Sequence, residues 1–223
     1  MANILRELTF DDWVAHIFDH EATGPEWYFD VDCDYWNGPA AVTVEYITRL
    51  FRDPLPHMAP YSDEQLRQGL WYLASNGASD MMFALLDDTV PLQTRVDCIR
   101  SFYDLFSKLF APKCSPHLSH LDERGANPIN VVCYMWWDLC PVAGTVGDPA
   151  GEVLNSAVLD VMAQTLDLDS IACQESALHG LGHWKSAYPA RNHEIIDSFL
   201  ARHPAIRPEL RSYANQARNG CML

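Results

Sequence analysis

Positive charge is scarce in this chain. Fifteen Lys and Arg stand against thirty Asp and Glu, a formal net charge of −15. Such a surface repels phosphate backbones and anionic lipid, so neither nucleic acid nor a membrane is expected as a partner. Long apolar runs are missing as well. No stretch reaches the roughly 20 residues that a bilayer-spanning helix needs. The opening "MANILRELTFDDW" lacks the apolar core of a secretory signal. No Cys-x-x-Cys occurs, and the seven cysteines at 33, 98, 114, 133, 140, 173 and 221 are odd in number and scattered. They read as reduced thiols of a cytoplasmic protein rather than as a disulfide framework.

Several catalytic signatures are also absent. There is no G-x-x-x-x-G-K-[ST], no G-x-G-x-x-G after a strand and no G-x-S-x-G elbow. The glycine-rich "GTVGDPAG" lacks the lysine that a phosphate loop needs and reads as a turn before a helix. No cofactor is expected from these patterns. No segment alternates apolar and polar residues long enough to argue for a sheet.

What the chain does have is helical period. In "VDCIRSFYDLFSKLF", residues 96–110, the positions Cys98, Ile99, Phe102, Tyr103, Leu105, Phe106, Leu109 and Phe110 cover one half of a helical wheel. Start signals recur: Thr9, Ser62 with Gln65 at capping-box spacing, Asp148-Pro149, Asp169, Asn192 and Pro208. Gly and Pro mark the stops, at Pro54, Gly77, Pro112, Pro141, Pro189, Pro204 and Gly220. The expectation is a single all-α domain over 1–223, with about nine or ten helices. Residues 1–60 would form an N-terminal cap with an aromatic-rich loop, and 61–223 stacked antiparallel helical hairpins. The aromatic stretch 21–41 is expected to pack as an ordered loop or short helix.

Asp169, Cys173, Gln174, Ala177, Gly180, Leu181 and Gly182 fall in the places of the HEAT second-helix pattern D-x-x-x-V-R-x-x-A-x-x-A-L-G. A second copy begins at Thr94-Arg95, with Cys98, Ser101 and Phe102 in the following slots, 79 residues earlier. Over residues 79–218 the chain thus resembles HEAT and armadillo-like repeat proteins in architecture. The resemblance implies an α-α superhelix of stacked hairpins. Cys173, Gln174 and Gly180 depart from the pattern's branched residue, Arg and Ala, which puts a regular superhelix in doubt. No functional residue is carried over.

"CQESALHGLGHW", residues 173–184, holds the main candidates for chemistry. Cys173, Ala177, Gly180, Leu181 and Trp184 share one stripe, and Glu175, His179 and His183 lie on the other side. The histidines are expected in solvent or along the inner surface of a solenoid. A His-x-x-x-His pair can converge on zinc, with Glu175 as ligand or base. Yet H-E-x-x-H and Glu-x-x-His spacings both fail here. A third protein ligand would come from elsewhere, with His193 or Asp138 as the choices. The buried-looking Asp138 needs a partner, for which Arg95, Arg100 or a helix N-terminus could serve. His16 with His20, and His117 with His120, are weaker pairs.

"WYFDVDCDYWNG" interleaves aromatics with acids. Asp30, Asp32 and Asp34 alternate as in an EF-hand loop, but position six is Tyr35 and position twelve is Ala41, so calcium is not expected. Trp27, Tyr28, Asp34, Tyr35 and Trp36 form either an internal plug or a surface that grips a basic partner. The functional expectation is a non-enzymatic protein–protein interaction module whose acidic surface binds a basic protein, in the manner of an inhibitor or immunity protein. The alternative is a metal-dependent hydrolase or related enzyme using Glu175, His179 and His183.

Overall fold

The computed structural model describes residues 3–144 and 146–221. It is all-α, as the period predicts. The helices are α1 (Phe10–Phe18), α2 (Ala40–Arg52), α3 (Pro54–Met58), α4 (Asp63–Ala74), α5 (Leu92–Leu105), α6 (Ala111–Lys113), α7 (Ile129–Leu139), α8 (Pro149–Thr165), α9 (Ile171–Trp184), α10 (Pro189–Arg202) and α11 (Pro208–Asn219). A π-turn at Phe106–Phe110 joins α5 to α6 without a break, so the described residues form ten separate helices. No helix among them is long and apolar enough to cross a membrane.

Local chemistry explains the boundaries. Thr9 caps α1 by accepting from Asp12 N, and Ser62 with Gln65 completes a capping box at α4. Proline opens α3, α8, α10 and α11. A first-turn residue donates no helical hydrogen bond, so the missing N–H costs nothing there. Pro189, read as a stop from sequence, therefore starts α10. Gly220 ends α11 in the left-handed region at φ 73°.

The helices stack in two rows. One runs α1, α4, α7, α9, α11, and the other α2, α5, α8; α8 also packs on α9, and α10 covers α9 and α11. The HEAT-like segments at 94–102 and 169–182 fall in α5 and α9, one in each row. Aromatic rings join the rows. Trp136 of α7 is fully buried and meets Phe51, Phe102 and Phe110 at 5.7 Å and Phe106 at 6.3 Å. Each such pair adds about 0.5–1.5 kcal/mol beyond its buried area. The neighbouring Trp137 lies parallel to Phe106 at 5.8 Å.

Two glycines permit close approach. A Cβ on Gly69 of α4 would lie 2.2 Å from the Phe18 ring, and one on Gly180 of α9 would lie 2.7 Å from both Trp137 and Met162. The second contact brings α7 and α9 together at the level of Asp138 and His179.

The stretch 21–41 contains a 3-10 turn at Trp27–Phe29 and a two-residue strand, β2 (Tyr35–Trp36). This strand pairs in parallel with β1 (Ile4–Leu5). Asp34 sets the pairing, since its Oδ1 accepts from Asn3 N and Nδ2 at 2.7 and 2.9 Å. The small sheet is a clasp on the helical body.

Candidate functional site

Helix α9 carries the sequence's main candidates, and it is enclosed. Every residue from Ala172 to Gly182 is buried between α7, α8, α10 and α11. The histidines were expected in solvent or along the inner surface of a solenoid; Glu175 and His179 are instead buried and hydrogen-bonded, while His183 stays half-exposed. One helix's wheel shows a polar side but not that a second helix, α11, lies across it. The polar groups are satisfied inside. Gln174 Nε2, for example, donates to Leu168 O at 2.9 Å.

Glu175 and the histidines do not share one site. The Glu175 side chain is fully buried and accepts three hydrogen bonds: Ser119 N at 2.9 Å, His120 N at 2.9 Å and the His120 ring Nδ1 at 2.6 Å. The carboxylate therefore pins the loop Ser119–Leu121 to the core. Three donors and full burial hold the carboxylate in a structural role.

His179 turns toward α7 and α11 instead. Its Nε2 lies 2.8 Å from Asp138 Oδ2, and its Nδ1 lies 2.6 Å from Tyr213 Oη. His183 Nε2 lies 3.3 Å from His179 Nε2 and 3.3 Å from Asp138 Oδ1. Asp138 thus meets the two histidines, not Arg95 or Arg100; Arg100 pairs with Asp97 on its own helix. Burial raises the Asp138 carboxyl, but the His179 hydrogen bond and the two imidazoles outweigh it and hold it below the usual carboxylate range. Tyr213 bonds Tyr134 Oη at 3.1 Å and stacks on His120 at 4.1 Å. Burial, the Tyr134 contact and the nearby Glu175 and Asp138 charges push its hydroxyl upward, so it stays a neutral phenol. Sequence reasoning missed Tyr134 and Tyr213. Their only signal was a tyrosine placed on the apolar side of its helix. His193, the other ligand considered, bonds Arg218 O and stands apart.

The second site is a cleft of ≈ 720 Å³ beside the clasp. His16 and His20 of the α1 end, Trp27, Phe29, and the carboxylates Glu26, Asp30, Asp32 and Asp34 line it. Trp27 stacks flat on His20 at 3.7 Å and leans on Tyr72 at 4.5 Å. Burial, with His20 adding to it, lowers the His16 imidazole to about 4 against a weaker opposing effect of Asp34. His16 is therefore neutral at physiological pH and leaves the carboxylates to set the charge. Arg67 offsets Glu26 at 3.5 Å. Asp30 Oδ1 accepts from Asp32 N in a tight turn, so this oxygen shapes the loop.

The aromatic stretch divides between inside and outside. Tyr28 and Trp36 are plugs: Tyr28 stacks on Tyr72 at 5.6 Å, and Trp36 Nε1 donates to Thr43 Oγ1 at 2.9 Å. Phe29, Val31 and Tyr35 face outward, exposed by 64, 90 and 43%. Trp27 sits between, forming the cleft wall. Compared with protein-family models, with curated proteins and with solved structures, the chain gives no match.

Proposed function

We propose that the protein is a non-enzymatic interaction module that binds a basic protein, with the N-terminal cleft as its grip, in the manner of an inhibitor or immunity protein. One observation carries this reading: the cleft combines four carboxylates with the Trp27 and Phe29 rings, and the same loop leaves apolar residues in solvent. Lone exposed hydrophobics are ordinary, but Phe29, Val31 and Tyr35 lie within seven residues of one acidic loop. A guanidinium or ammonium would find carboxylates for charge-assisted hydrogen bonds and aromatic faces for cation–π contact. The proposed HEAT-like stacking supplies the rigid frame on which the loop is clasped. The enzyme alternative with Glu175, His179 and His183 is the weaker reading, because Glu175 is bound to the 119–121 loop.

The test is a calorimetric titration of the full chain with nona-arginine, at low and high salt. Asp30→Asn with Asp32→Asn removes two of the thirty carboxylates and leaves the overall field almost unchanged. If the cleft is the grip, this variant and Phe29→Ala each weaken binding about tenfold or more, and 1 M salt abolishes it. Equal affinity for wild type and both variants would mean that the peptide reads bulk charge alone, and the proposal would fall.

A further inference from the structure

The geometry points to a second, separate site: Asp138, His179 and His183 hold a divalent transition-metal ion of the zinc class. The three donors come from two helices. His179 and His183 are one turn apart on α9, where i and i+4 side chains converge. Asp138 sits near the C-terminal end of α7, brought against His179 by the Trp137–Gly180 contact. The three residues form a triangle: His179 Nε2 lies 2.8 Å from Asp138 Oδ2, His183 Nε2 lies 3.3 Å from Asp138 Oδ1 and 3.3 Å from His179 Nε2, and one donor atom from each falls within 4.8 Å of the other two. Zinc holds nitrogen and oxygen ligands at about 2.0–2.2 Å, so two ligands of one tetrahedron lie about 3.3 Å apart. The nearest donor separations, 2.8 and 3.3 Å, are close to that spacing, and a small turn of the carboxylate brings one oxygen within reach of both imidazoles.

The surroundings are built as a metal site's usually are. His179 is buried, and its far nitrogen Nδ1 lies 2.6 Å from Tyr213 Oη. With an ion bound, Nδ1–H donates to that phenol and the Nε2 lone pair, freed of the proton it shares with Asp138, faces the metal. Tyr213 is itself fixed by Tyr134 and by the ring of His120, which Glu175 holds. Such outer contacts set the tautomer and aim of a ligating imidazole. The other side is open: the side chains of His183 and Asp138 are 48% and 27% exposed. Three protein ligands with an open fourth position leave room for water or an incoming donor. Two imidazoles and one carboxylate suit zinc and the later first-row divalent ions better than calcium or magnesium. Among the described residues no hydrogen bond or ion pair joins Asp138, His179 or His183 to the lining of the acidic cleft, so either site can stand without the other.

The experiment uses untagged full-length protein, stripped with a chelator and titrated with cobalt(II) and with zinc. The expected result is one equivalent bound, with ligand-field absorption of cobalt(II) characteristic of a low-coordinate nitrogen and oxygen site, displaced by zinc. His183→Ala and Asp138→Asn, both half-exposed, keep the wild-type circular dichroism and lose affinity at least about 100-fold. Tyr213→Phe loses about 10–100-fold by releasing the His179 tautomer. His193→Ala binds as wild type. Substoichiometric uptake would overturn the proposal, and so would binding left intact by both His183→Ala and Asp138→Asn. The triangle would then be a hydrogen-bonded cluster that shares protons.

Discussion

Glu175→Ala separates a structural carboxylate from a chemical one. Removing the carboxylate leaves the two amides Ser119 N and His120 N and the His120 ring without an acceptor, at a position sealed from water. Each orphaned donor costs about 1–3 kcal/mol. The three donors share one carboxylate and one loop, so the low end of their sum is the better guide: a loss of about 3–5 kcal/mol. For a chain of this length that is a fall in Tm of roughly 6–20 °C. Urea unfolding followed by tryptophan fluorescence reads it as a lower midpoint at unchanged slope. Because His120 stacks on Tyr213, the damage should spread to that ring. Glu175→Gln should also destabilise, since its amide N–H would face other donors. A carboxylate kept for acid–base work behaves in the opposite way: its removal leaves stability unchanged or raises it. A loss under about 1 kcal/mol for Glu175→Ala would refute the anchoring role.

Other consequences follow from the same contacts. Gly180→Ala places a methyl 2.7 Å from Trp137 and Met162 and should cost about 1–3 kcal/mol by overpacking, read by the same unfolding assay. It should also weaken metal uptake by forcing α7 from α9. His16 carries an imidazole lowered from 6.5 to about 4. The folded state favours its neutral form, so this contribution to stability is present above pH 6.5 and is lost as pH falls toward 4. Discounted for partial exposure, the loss is on the order of 1–2 kcal/mol. His16→Leu should flatten that part of the stability profile, and an unchanged profile would exclude His16 as its source.

Helical period made most of the architecture legible. The 96–110 wheel placed eight residues on the core side; Cys98, Ile99, Phe102, Leu105, Phe106, Leu109 and Phe110 are buried, and Tyr103 is partly buried against them. Capping at Thr9 and Ser62 was readable because it is local. What escaped depends on partners distant in sequence. The wheel of α9 could not show that α11 buries His179, or that Tyr213 comes from 34 residues away to meet it. Asp138 was visible as a lone acid among apolar residues, but its partners lie 41 residues on, and arginine was the natural expectation. Likewise the aromatic loop looked uniform in sequence. Only the register with Ile4 and Leu5, set by Asp34, decides that Trp36 turns inward and Tyr35 outward.

The most direct test of the interaction reading is a ¹H–¹⁵N spectrum of the full chain titrated with nona-arginine at moderate salt. The account predicts shifts concentrated at His20, Trp27, Phe29, Asp30 and Asp32, with the Trp27 indole N–H among the largest, and their loss in the Asp30→Asn, Asp32→Asn variant. Shifts scattered over the acidic surface, with the cleft no different from the rest, would contradict it.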